Sequence, residues 1–173
     1  MSRTFLTIAT LFATTSAWAH DGHHGPDHNQ IVGVRGEAHG SVSQFGVFGA
    51  GARAEFAVVP DGFIGGDVHD ELALSLGGDL FFAELTPGYY DSGLYVVPIA
   101  ALQWNFYLGD EWSIFPEAGL AFHIDPDDDG WNGRSAIYAT PDVGFGARYH
   151  FASRNALLLR ASSPGGVQVG LTF

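Results

Sequence analysis

The sequence predicts an all-β fold: an eight-stranded antiparallel up-and-down barrel whose outer wall is apolar enough to face lipid, a transmembrane β-barrel. Three observations lead there. Eight stretches alternate apolar and non-apolar residues at the two-residue period of a strand. The charges well inside those stretches fall on one parity, opposite the apolar one. The last stretch ends on an aromatic residue that continues the apolar row Val167, Val169, Leu171 and Phe173.

Composition bounds what such a chain can be. Its 173 residues suit one domain, and 46% of them are hydrophobic. The basic residues are all arginine and the net charge is −12, which argues against nucleic acid as a partner. Residues 1–19 read as a secretory signal peptide for Sec-type export, with Arg3 before an apolar run and Ala17-Trp18-Ala19 as a small-x-small cleavage site. That run is shorter than the roughly 20 residues a membrane helix needs, and no later stretch reaches that length. A membrane crossing therefore has to be made by strands. Residues 20–29, HDGHHGPDHN, form a polar tail that cannot bury a core and is expected to be disordered. Its His20, His23, His24 and His28 are candidate ligands for Zn, Cu or Ni, although their spacing is not that of a fixed structural zinc site.

The barrel is expected over residues 30–173, and its strands can be taken in order. The first, 30–38, places Arg35 and Glu37 on one face, and the second, 44–58, places Arg53 and Glu55 likewise. The third, 71–84, carries an apolar row of Leu72, Leu74, Leu76, Leu80 and Phe82, with Asp79 opposite. The fourth, 93–108, runs Leu94, Val96, Pro98, Ala100, Leu102, Trp104, Phe106 and Leu108 on one face. In the fifth, 112–124, Trp112, Ile114, Ala118, Leu120 and Phe122 alternate with a face holding Glu117. The sixth, 135–151, sets Ile137, Val143, Phe145, Tyr149 and Phe151 against Asp142 and Arg148. The seventh, 155–162, contributes Arg160, and the eighth, 166–173, closes the sheet. Lengths are adequate, since a tilted membrane strand needs about 9 to 11 residues and only the last two are short.

The charged face holds Arg35, Glu37, Arg53, Glu55, Asp79, Glu117, Asp142, Arg148 and Arg160, joined by Gln103, Asn105, His123, His150, Gln168 and Thr172. Near balance of the two signs predicts an enclosed, paired interior network, because an unpaired ion in a narrow lumen is costly. A soluble sandwich would turn its polar face to water and carry many Lys and Glu there.

Connections suggest orientation. The turns at residues 109–111 and 152–154 lie on the side of both chain ends, expected to be periplasmic, whereas the connections at 39–42, 85–92, 125–134 and the Pro164-Gly165 turn lie opposite. Residues 59–70 break the pattern as a long connection on the side of short turns. Pro98, Pro116 and Pro141 fall inside strand patterns, where the missing N–H predicts bulges or local breaks. Trp104, Phe106, Trp112, Tyr149 and Phe151 are placed to form an aromatic girdle.

The secretory start, eight alternating stretches and Phe173 resemble the small eight-stranded outer-membrane β-barrels of Gram-negative bacteria, similar in plan to the OmpA transmembrane domain and OmpX. The resemblance implies an outer-membrane location, contact with membrane lipid and lipopolysaccharide, and insertion by the barrel assembly machinery, for which Val167, Val169, Leu171 and Phe173 would be the signal. It carries no catalytic motif, and function does not follow from fold. The favoured reading is a non-enzymatic barrel with a structural or surface-interaction role and no cofactor. Metal handling through the tail is one alternative. A lipid A-modifying enzyme is another, built on paper from His123, His150, Ser113, Ser75, Glu117 and Asp142. Asp125, Asp127 and Asp129 begin a D-x-D-x-D-G string of calcium-loop type, but Ala136 stands where a bidentate Glu belongs and no helices flank it. A solvated acidic loop is the simpler account. A pore is disfavoured, since eight strands leave room only for side chains.

Overall fold

A computed structural model describes residues 29–43, 45–64, 68–82, 94–124, 137–152 and 154–173. Eight strands run in chain order: β1 Val34–Val42, β2 Phe48–Val59, β3 His69–Phe82, β4 Leu94–Tyr107, β5 Trp112–Ile124, β6 Ile137–His150, β7 Ala156–Ser163 and β8 Gly166–Thr172. Each pairs antiparallel with its sequence neighbour, and β8 returns to β1 to close the barrel. Closure matters physically: it leaves no edge strand with unpaired N–H and C=O groups, as a wall in hydrocarbon requires.

Strict alternation decides which side chains face in. On β4, Val97, Ile99, Ala101, Gln103, Asn105 and Tyr107 are buried, while Leu94, Leu102 and the intervening row look outward. β6 repeats this with Asp142, Arg148 and His150 inside and Val143, Phe145 and Tyr149 outside. The outer wall is thus a belt of exposed Leu, Val, Ile and Phe, and the charges lie within.

The rim at residues 29–33, with Phe173 and the turns at 108–111 and 151–155, is called here the terminal rim; the other is the loop rim. At the loop rim, the Ser43 hydroxyl accepts from the N–H of Val47 at 3.1 Å, and the Gly46 N–H donates to the Ser43 carbonyl at 2.9 Å. That turn lets β1 run on to Val42. The connection expected at residues 39–42 is therefore strand, because His39 and Ser41 continue the inward row of Arg35 and Glu37. At its other end the expected first strand is cut short. Residues 30–33 leave the sheet, and Ile31 is buried in the terminal mouth. Asn29, grouped with the tail by composition, is buried there too, its side-chain N–H₂ donating to the Asp110 carbonyl at 2.6 Å.

The prolines cause no bulges. Register is constant along β4–β5, but the pairings of Pro98 with Phe122 and of Trp104 with Pro116 are missing from the ladder. At Pro98 and at Pro116 the sheet omits two successive pairings, the second of each break being Val97 with His123 and Asn105 with Phe115, rather than inserting a residue. Pro141 pairs with Leu120 of β5 and lies beyond the reach of β7, whose pairing begins at Val143. The register shift lies elsewhere, between Ala57 and Val59 on β2, just before the long connection to β3.

Candidate functional site

The lumen is the place where the sequence concentrates its chemistry. Toward the loop rim it is apolar on one side, where Val47, Phe81, Val97, Ile99, Ala101 and Ala121 cluster with Tyr95. The remainder is filled by ions. Arg160 grips Glu37 through both terminal nitrogens, at 2.6 and 2.7 Å, and its Nε lies 3.3 Å from Glu117. Arg53 approaches the same Glu117 carboxylate at 3.4 Å. Bidentate geometry of this kind is among the stronger charge-assisted contacts.

His39 stands between two acids, with Nδ1 2.8 Å from Glu37 and Nε2 2.6 Å from Asp79. Only the Nε2 contact to Asp79 has hydrogen-bond geometry; the Nδ1 approach to Glu37 is one of distance alone. Gln168 joins it, donating to Asp79 at 3.3 Å and accepting from Arg160 at 3.0 Å. Nearer the terminal rim, Glu55 is shared by Arg35 at 2.7 Å and Arg148 at 2.5 Å. The buried Phe115 ring is shared by both groups, with the Arg148 guanidinium 4.1 Å and the Arg160 guanidinium 5.3 Å from its centroid, a cation–π arrangement.

The terminal mouth is closed by the chain itself. Glu71 accepts from the Ile31 N–H at 2.9 Å, from Asn105 Nδ2 at 2.9 Å and from the Tyr107 hydroxyl at 3.1 Å. Arg35 donates to the Asn29 carbonyl at 3.3 Å. Residues 29–31 are thereby held as a stopper.

Each of the nine charged residues assigned to the interior by parity is buried. Eight meet an opposite charge. Asp142 differs: neither carboxylate oxygen has a hydrogen-bond partner among the described residues. His39 and Glu71 belong to the network although the sequence reading placed one in a turn and the other at a strand end. The signal was present, since each continues the inward parity of its strand. Val167, Val169, Leu171 and Phe173 are exposed on the outer wall.

The residues written as a triad do not assemble into one. Ser113 Oγ lies 2.9 Å from His150 Nε2, but both are buried in the lumen. His123 contacts Thr140 at 3.0 Å and stacks on Tyr138 instead. Ser75 is buried, with no hydrogen-bond partner for its hydroxyl among the described residues. The candidate metal ligands His20, His23, His24, His28, Asp125, Asp127 and Asp129 lie outside the described residues. Among the described residues, no group of three His, Cys, Asp or Glu is placed to hold a metal.

No family model matches the sequence, and no curated protein matches it significantly. Solved structures do match by shape. One is a de novo designed transmembrane β-barrel, with TM-score 0.56, 15% identity, and 81% of this chain and 92% of that one covered. Another is the Yersinia pestis outer membrane protein Ail, determined in a phospholipid bilayer nanodisc, with TM-score 0.51, 9% identity, and 81% and 97% covered. The chain has the fold of the small eight-stranded outer-membrane β-barrels. Eight strands enclose an interior about wide enough for side chains, and here it holds the ionic network and the Phe115 ring.

Proposed function

We propose that the protein is a non-enzymatic outer-membrane β-barrel, a sealed scaffold with a structural or surface-interaction role. The observation that carries this reading is the combination of an apolar outer belt with a lumen in which the charges are buried and eight of the nine assigned to it are paired. A soluble protein would gain nothing by exposing Leu102, Phe145, Leu159 and Val169, each at least half exposed. A wall facing hydrocarbon requires them. With the lumen filled and the Ser113–His150 pair walled inside it, the parts left to meet other molecules are the outer wall and the two rims.

In this reading the terminal rim faces the periplasm and the loop rim faces outward, with membrane lipid and lipopolysaccharide as neighbours and the assembly machinery as a transient partner. Cell fractionation should recover the protein with the outer membrane, and boiling in detergent should shift its electrophoretic migration, as unfolding of a closed barrel does. Recovery as a freely soluble periplasmic protein with no heat-dependent shift would overturn the reading.

A further inference from the structure

The long connection between β2 and β3 is built around a carboxylate in an unexpected place. Asp70 pairs with Phe106, two residues before Leu72 on the outward row of β3, so it stands on the lipid side of the wall. It is nonetheless buried. The connection folds back over it: Asp70 accepts from the Phe63 N–H at 2.8 Å, from the Ile64 N–H at 3.2 Å and from the Trp104 indole N–H at 2.7 Å. Three donors satisfy a charge that would be costly beside hydrocarbon.

The same contacts fix the connection to the wall. The Phe63 ring meets Trp104 edge-on with centroids 6.0 Å apart, and Trp104 packs on Phe106 at 4.9 Å. Gly62 has φ +62°, and a Cβ there would lie 2.1 Å from the Asp70 carboxyl carbon, so the backbone can approach this closely only without a side chain. Phe63, which meets the outward Trp104, and Ile64 are exposed, as are Val58, Val68 and Leu108 at the same end of the strands. An isolated hydrophobic tip in water would need no such clasp. Two apolar side chains held rigidly at the level of an aromatic girdle match the chemistry of the bilayer interface.

We propose that residues 62–64 form a membrane-interface anchor, in which Asp70 clasps the β2–β3 connection to the wall so that Phe63 and Ile64 enter the adjoining phospholipid leaflet. This rests on the membrane-barrel reading. The chain has no cysteine, so single cysteines can be labelled uniquely. F63C, I64C and the belt control L102C, each carrying a nitroxide and refolded into phosphatidylcholine–phosphatidylglycerol vesicles, are compared for collision with oxygen and with a water-soluble nickel chelate. The expected result is that positions 63 and 64 favour oxygen, as position 102 does, and that F63C loses this preference when combined with D70A while L102C in D70A keeps it. Preference for nickel at 63 and 64 with oxygen preference at 102 would overturn the anchor alone. Preference for nickel at 102 as well would overturn the membrane reading beneath it. Oxygen preference at 63 that survives D70A would overturn the clasp. Shielding of 63 from nickel in native envelopes but not in pure lipid would assign the surface to a protein instead.

Discussion

Arg160 shows how a single side chain can hold a lumen together. It bridges Glu37 and Glu117, donates to Gln168 and lies over Phe115, so four neighbours depend on it. A buried ion pair is weak evidence for stability by itself, since desolvation offsets much of the attraction, but removing one partner leaves the other charged and dry. Arg160→Met should therefore destabilise the barrel by about 3 to 5 kcal/mol, read from the urea midpoint of the protein refolded in vesicles. Adding Glu37→Gln should recover part of that loss, because it removes the stranded charge. Equal or greater loss in the double variant would mean that Glu37 is held chiefly by His39, which contacts the same carboxylate.

At the scale of the strand, the β1–β8 seam decides whether the sheet is a barrel. Its ladder runs from Glu37–Thr172 to Val42–Val167, and Phe173 extends it by a pair: the Gly36 N–H donates to the Phe173 carbonyl at 2.7 Å and the Phe173 N–H to the Gly36 carbonyl at 2.9 Å. The ring lies across Gly36, where a Cβ would come within 2.5 Å of it. Backbone and ring make separable contributions. Deleting Phe173 removes both bonds, worth about 0.5 to 1.5 kcal/mol each, and should weaken the refolded barrel in vesicles. Phe173→Ala keeps the bonds, so it should refold in vesicles almost as wild type. If the aromatic ring is what the assembly machinery reads, that same variant should accumulate less heat-shifted, folded protein in cells. Equal folding of Phe173→Ala in cells and vesicles would remove the ring from the assembly signal.

At the scale of the whole molecule, the closed sheet and its inside were legible because a period of two sorts every side chain to one of two faces, and burial of the Arg and Glu rows followed from parity. What was not legible depends on contacts distant in sequence. No local pattern announces that Ile31 will donate to Glu71 or that residues 62–64 will fold over Asp70, and a proline in a strand does not reveal whether the sheet will bulge or omit a pairing. The filled lumen leads to the last prediction. Eight strands enclose a space about wide enough for side chains alone, and here it holds, from the loop rim to the terminal rim, the one-sided apolar cluster, the Arg160–Glu117–Arg53 ions, the Phe115 stack and the stopper at residues 29–31. Removing the stopper opens the mouth but leaves the three inner groups in place. Planar bilayer recordings should therefore show no stable single-channel conductance for the wild type or for a chain lacking residues 1–31. Steady ohmic steps in the wild type would mean that the ion pairs exchange partners fast enough to pass solute. Steps confined to the truncated chain would make the stopper, rather than the ionic network, the seal.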